Sequence, residues 1–110
     1  MPNFSRRIIN SIVDKLVKDF NPIKIYISGS NAWGSPDVAS DLDLFMILKD
    51  SNLSRLERGK LARESLKDFN LPIDIIVRTE KEFEKFSQIP KYLPSRVKKQ
   101  GILIYEKNLG

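Results

Sequence analysis

Ile8, Ile9, Ile12, Val13, Leu16, Val17 and Phe20 recur at spacings of three and four along the chain, which lays one apolar stripe on a first helix. Asn21-Pro22 ends it. The segment "IKIYIS" (23–28) changes period: apolar and polar positions alternate and β-branched or aromatic residues dominate, so it predicts a strand stopped by Gly29. "LDLFMIL" (42–48) predicts a second, more fully buried strand. Leu53, Leu56, Ala62, Leu66 and Phe69 mark a second amphipathic helix, and "LPIDIIV" (71–77) a third strand with a proline near its start. Further on, "EKEFEKF" predicts a short helix, "PSRVKKQ" another that stops at Gly101, and "ILIYE" (102–106) a last strand.

Helices that alternate with buried strands predict a small mixed β-sheet with helices packed against it, an α/β or α+β fold. No internal repeat, low-complexity tract or linker interrupts this order, so residues 1–110 are expected to form a single domain. The apolar runs are far too short to cross a membrane as helices, and the N-terminus lacks a signal-peptide pattern, so the expected location is the cytoplasm.

Composition narrows the chemistry. Cysteine and histidine are both absent, which excludes disulfides, thiolate nucleophiles, imidazole bases and Cys/His zinc sites. Carboxylates, hydroxyls, lysine and arginine remain. Nineteen Lys and Arg against 14 Asp and Glu give +5, a balance that favours a phosphate-rich or acidic partner without naming nucleic acid.

The acids stand in an unusual place. Side chains alternate along a strand, so Asp41 and Asp43 share one face while Leu42 and Leu44 take the other. Asp74, between Ile73 and Ile75, has the same setting. Asp41 after Ser40 fits an ordinary turn or cap, but strand interiors disfavour Asp, and Asp43 and Asp74 both meet that difficulty. Three carboxylates at one sheet edge repel one another unless a cation compensates them, and oxygen-only ligands select Mg²⁺ or Mn²⁺. Before them, Gly29-Ser30 after a strand suits a phosphate on free backbone N–H groups with the Ser30 hydroxyl beside them, or else a plain helix start with Ser30 as N-cap. Gly34 and "SPD" then read as a turn. "GSNAWGSPD" is neither the dinucleotide fingerprint nor a P-loop.

Gly29-Ser30, Gly34, Ser40-Asp41-Leu42-Asp43-Leu44 and Asp74 in a later strand together resemble the DNA polymerase β-like nucleotidyltransferase superfamily, and within it the minimal nucleotidyltransferases often paired with a HEPN-type partner as antitoxin and toxin. The resemblance implies transfer of an NMP, AMP from ATP, to an acceptor hydroxyl with loss of pyrophosphate. It implies that Asp41, Asp43 and Asp74 bind two Mg²⁺ ions (or Mn²⁺) and that Asp74 helps deprotonate the acceptor. Gly29, Ser30, Asn31, Gly34 and Ser40 would form the nucleotide-binding side. Many relatives carry an arginine at the positions of Asn31 or Trp33. Here Asn31 can hydrogen-bond but not neutralise, and Trp33 either stacks on a base or fills space between helix and sheet.

Since 110 residues leave no room for the helical domain of small-molecule transferases of the superfamily, the acceptor is expected to be a macromolecule, or the site to be completed by another chain; the resemblance to the minimal nucleotidyltransferases implies a HEPN-type protein partner that receives AMP on a tyrosine. Two other readings stay open. One is a non-catalytic antitoxin or regulatory module with the same fold; the other is a transferase acting on RNA or a small molecule. Lys91, Tyr92, Arg96, Lys98 and Lys99 suggest a nucleic-acid surface but fit a solvated helix face better. The sequence leaves the oligomeric state, including a homo-oligomer, undecided.

Overall fold

A computed structural model describes residues 4–34 and 41–108. The first helix, α1 (Arg6–Phe20), starts where the Ser5 hydroxyl accepts from the Ile8 N–H, an N-cap that satisfies one of the helix's unpaired donors. It ends where Asn21 turns left-handed with φ 49° and its N–H returns to the Val17 carbonyl. Its stripe of Ile9, Ile12, Val13 and Leu16 is buried.

The strands are β1 (Lys24–Ser28), β2 (Leu42–Leu48), β3 (Ile73–Thr79) and β4 (Ile102–Glu106), in the spatial order β3-β2-β1-β4. β2 and β4 pair antiparallel to β1, whereas β3 lies parallel to β2. The sheet is therefore mixed, as the sequence predicts. A parallel neighbour needs a crossover, and α3 (Arg55–Ser65) supplies it. Between β1 and β2 stands the short α2 (Ser30–Trp33); α4 (Glu80–Ser87) and α5 (Leu93–Gln100) separate β3 from β4.

Alternation divides the interior into two apolar clusters. Leu42, Leu44 and Met46 of β2, with Ile75 and Val77 of β3, meet α1 and the Ala62 and Leu66 side of α3. Phe45 and Ile47 point the other way and join Tyr26, Phe83 of α4 and Val97 of α5. The sheet is covered on both faces, which explains why β2 reads as a nearly unbroken apolar run.

Three expectations shift. β3 begins at Ile73 and runs to Thr79, two residues later than predicted, because the Pro72 carbonyl accepts from Leu42 N–H at the rim and Arg78 and Thr79 pair with Ile47 and Leu48. α3 does not bury Leu53 or Leu56; Leu56 is 78% exposed, and the inward face carries Arg58, Gly59 and Ala62 instead. Phe69 sits in a separate 3₁₀ turn (Lys67–Phe69). No helix among the described residues is long and apolar enough to cross a membrane.

Candidate active site

The register places the acids together. Asp43 stands opposite Asp74 across the parallel β2–β3 pair and opposite Ser28 across the antiparallel β1–β2 pair. Adjacent strands lie about 5 Å apart, so the two carboxylates and the Ser28 hydroxyl occupy one row at one end of the sheet. Asp43 has the parity of Phe45 and Ile47, and Asp74 that of Ile76; all three apolar residues belong to the α4–α5 side. Both acids open on that face.

Gly29 makes room for them. Its φ of 68° and ψ of −156° lie where L residues are strained. A Cβ there would fall 3.0 Å from Asp43 Cγ and collide with the Oδ2 oxygen. The chain thus turns from β1 into α2 directly against the Asp43 carboxylate. Gly29, not Ser30, is the N-cap: the Ala32 and Trp33 N–H groups donate to its carbonyl at 3.0 Å. Ser30 opens the helix, partly exposed beside the acids' strand end, and Gly34 closes it, its N–H donating to the Ser30 carbonyl at 3.2 Å.

Asp41 precedes β2 and is exposed, so it belongs to the rim of the sheet and not to the strand interior. Its main chain is braced from α2: the Asn31 side-chain amide, on a residue only 3% exposed, donates to the Asp41 carbonyl at 2.8 Å. Asn31 thus holds in place the segment that carries Asp41. Asp74 is exposed on the outer strand, and its Oδ1 accepts from the Ile75 N–H at 3.0 Å. Ser40 lies outside the described residues.

The carboxyl of Asp43 is pushed above the ordinary carboxylate value, first by burial and then by the negative charges of Asp74 and Asp41. Like charges gathered at a half-buried strand end favour a bound cation, and the donors are all oxygen, so the residues fit a hard divalent ion. They are not drawn into a closed cluster: among the described residues no three acids already stand at ligating distance of a common point.

One feature of this face escaped the sequence. Trp33, at the end of α2, packs against the Tyr26, Phe45 and Phe83 cluster, and the Arg96 guanidinium of α5 lies over its ring, 4.6 Å from the centroid. Arg96 belongs to the basic run that reads as a solvated helix face. Nothing local links it to Trp33, which is distant in sequence.

A family model described as a nucleotidyltransferase domain matches residues 7–104. Among solved structures, a protein from Sulfolobus solfataricus, reported at 1.40 Å as a candidate nucleotidyltransferase, superposes with a TM-score of 0.68 over 94% of this chain and 82% of its own, at 21% identity. The two share a fold. Among curated proteins no significant sequence match is found.

Proposed function

Since the chain belongs to the nucleotidyltransferase domain family, we propose that it transfers AMP from ATP to an acceptor hydroxyl and releases pyrophosphate. The observation that carries this reading is the row formed by Asp43, its register partner Asp74 and the Gly29 turn set against the Asp43 carboxylate. Asp43 stands in the central strand β2, which disfavours Asp, and Asp74 lies in register beside it on the outer strand.

In this reading the acceptor oxygen attacks the α-phosphorus, the bond from that phosphorus to the pyrophosphate oxygen breaks, and the acceptor proton passes to Asp74. Asp74 suits that role because it is exposed on the outer strand, where an acceptor can approach. Asp41, Asp43 and Asp74 would hold Mg²⁺, or Mn²⁺, which when bound offsets charge on the phosphate oxygens and polarises the acceptor hydroxyl. Ser30 and the Gly29–Ser30 backbone would line the phosphates, with Gly34 shaping the turn behind them. Asn31 keeps Asp41 in place through the main chain.

The acceptor we favour is a tyrosine hydroxyl on a HEPN-type toxin, which this domain would silence as antitoxin. Resemblance of the Gly-Ser and Asp-x-Asp motifs to the minimal nucleotidyltransferases supports this finer assignment. The test is to incubate the protein and the product of the adjacent gene with Mg²⁺ and each α-labelled NTP, with Asp43→Asn alongside. Label from ATP moving to one protein, reduced at least about 100-fold in the variant, is expected. Label on RNA would redirect the acceptor. A partner that co-purifies equally with wild type and variant while no label moves would replace the enzyme by a binding-only antitoxin.

A further inference from the structure

The side chains of the proposed site are one-sided in charge. Asp41, Asp43 and Asp74 are all negative, a nucleoside triphosphate adds several more charges, and neither Ser30 nor Asn31 can neutralise any of them. Beside a bound divalent metal, a positive side chain on the phosphate side would offset charge that α2 leaves unmatched.

The topology brings one there. β4 begins at Ile102, which pairs with Ile27, next to the Ser28 that stands opposite Asp43. The last turn of α5 therefore ends at the same end of the sheet as the acids, and Gly101 lies so close to Tyr26 that an added Cβ would be 3.2 Å from its ring. Arg96, little more than one helical turn earlier, stands on the α4–α5 face, the face on which Asp43 and Asp74 open. Trp33 beneath it is three residues from Ser30, one turn of helix or about 5 Å.

Arg96 is also prepared for an anion. Its guanidinium lies over the indole of Trp33, and its Nε donates to Gln100 Oε1 at 2.9 Å. Those two contacts engage the ring face and the Nε, and among the described residues no hydrogen bond engages the terminal NH₂ groups. Among the described residues no carboxylate pairs with Arg96, whereas the buried arginine of α3, Arg58, is paired with Glu82. The side chain is exposed, and α5 contains no acidic residue. An oriented guanidinium fork matches two phosphate oxygens at once, which an ammonium does not. With one ring face beneath Arg96, Trp33 acts as a platform for the arginine.

We infer that Arg96, held over Trp33, is a binding residue for the polyphosphate of the nucleotide substrate, supplying from α5 the positive charge that α2 lacks. This rests on the transferase reading, and the two can fail separately.

Trp33 is the single tryptophan of the sequence, so its emission reports on this contact. ATP and, separately, inorganic tripolyphosphate would be titrated with Mg²⁺ into wild type, Arg96→Ala and Arg96→Lys, with Trp33 emission read beside equilibrium dialysis of labelled ATP and AMP. In the wild type both polyphosphates are expected to change Trp33 emission. Arg96→Ala should weaken ATP binding at least about tenfold while AMP binding changes less than twofold; Arg96→Lys should recover only part. In labelled transfer the loss should appear in KM for ATP more than in kcat. Equal ATP affinity in wild type and Arg96→Ala overturns the role of Arg96 and leaves the transferase reading intact. A wild type that binds neither ATP nor tripolyphosphate overturns both.

Discussion

At Gly29 two independent constraints meet: a positive φ, and an Asp43 carboxylate where a side chain would begin. Gly29→Ala is therefore expected to cost about 1–3 kcal/mol from backbone strain alone, read as a lower urea midpoint, and to weaken Mn²⁺ binding by moving Asp43. Gly34→Ala meets only the Ser30 backbone and side chain at 3.0–3.4 Å without positive φ, and should cost less. Asn31 acts on Asp41 through its main chain. Asn31→Ala removes the donor on the Asp41 carbonyl, and an outer partner of this kind is worth about tenfold in metal affinity. Calorimetric titration with Mn²⁺ checks this; unchanged affinity would mean that Asp41 holds its place unaided. The close approach at Gly29 and the placing of Asp43 and Asp74 at one sheet end were legible in the sequence because each breaks a local rule, a glycine closing a strand and an acid within an apolar run. The role of Asn31 was not, since an asparagine reaching a backbone carbonyl ten residues on leaves no pattern.

Among the elements, α3 and α4 are joined by a charge pair that hydrophobic periodicity concealed. Arg58 projects inward from α3, where the sequence pattern favoured Leu53 and Leu56, and donates to Glu82 Oε1 at 2.7 Å and to the Leu53 carbonyl at 3.0 Å. Glu82 also receives Arg55 Nε at 3.2 Å and the Thr79 N–H at 2.8 Å, closing a capping box at the start of α4. Burial would raise the Glu82 carboxyl, but the hydrogen bonds from Arg58, Thr79 and Arg55 prevail and hold it at about 2. Its folded value is thus depressed from 4.5, so its contribution is complete above the unfolded value and is lost as pH falls toward the folded one. Glu82→Gln should cost about 2 kcal/mol at pH 7, a moderate figure because the carboxylate is 21% exposed. Urea midpoints of the two proteins should converge between about pH 4.5 and pH 2. A difference independent of pH would assign the loss to packing. The elements themselves were readable: β2 and β4 lie where alternation and apolar runs put them, and Asn21 and Gly101 mark helix ends by backbone geometry. What could not be read was the α3 face, because a buried arginine is apolar in its stem and satisfied only by an acid on another element.

For the molecule as a whole, the proposed function assigns the two faces of the sheet different parts, a scaffold side and a working side. The cluster with α1 and α3 lies behind the sheet; the smaller one with Phe45, Phe83 and Val97 lies beneath the acids, Trp33 and α5. A cavity on one side should then act differently from a cavity on the other. Leu16, fully buried on α1, should lose about 2–5 kcal/mol when changed to Ala, with the ATP affinity of the folded fraction unchanged. Phe45→Ala should lose a similar or larger amount, about 3–5 kcal/mol. It should also weaken ATP binding, because Phe45 follows Asp43 by two residues on the same face and its ring packs 5.7 Å from Phe83, in the cluster that supports Trp33 and so Arg96. Stability by urea unfolding and affinity by dialysis at low temperature, both far from the unfolding transition, separate the two effects. If Leu16→Ala weakened ATP binding as much as Phe45→Ala does, the sheet would transmit strain from back to front, and the division into scaffold and working faces would not hold.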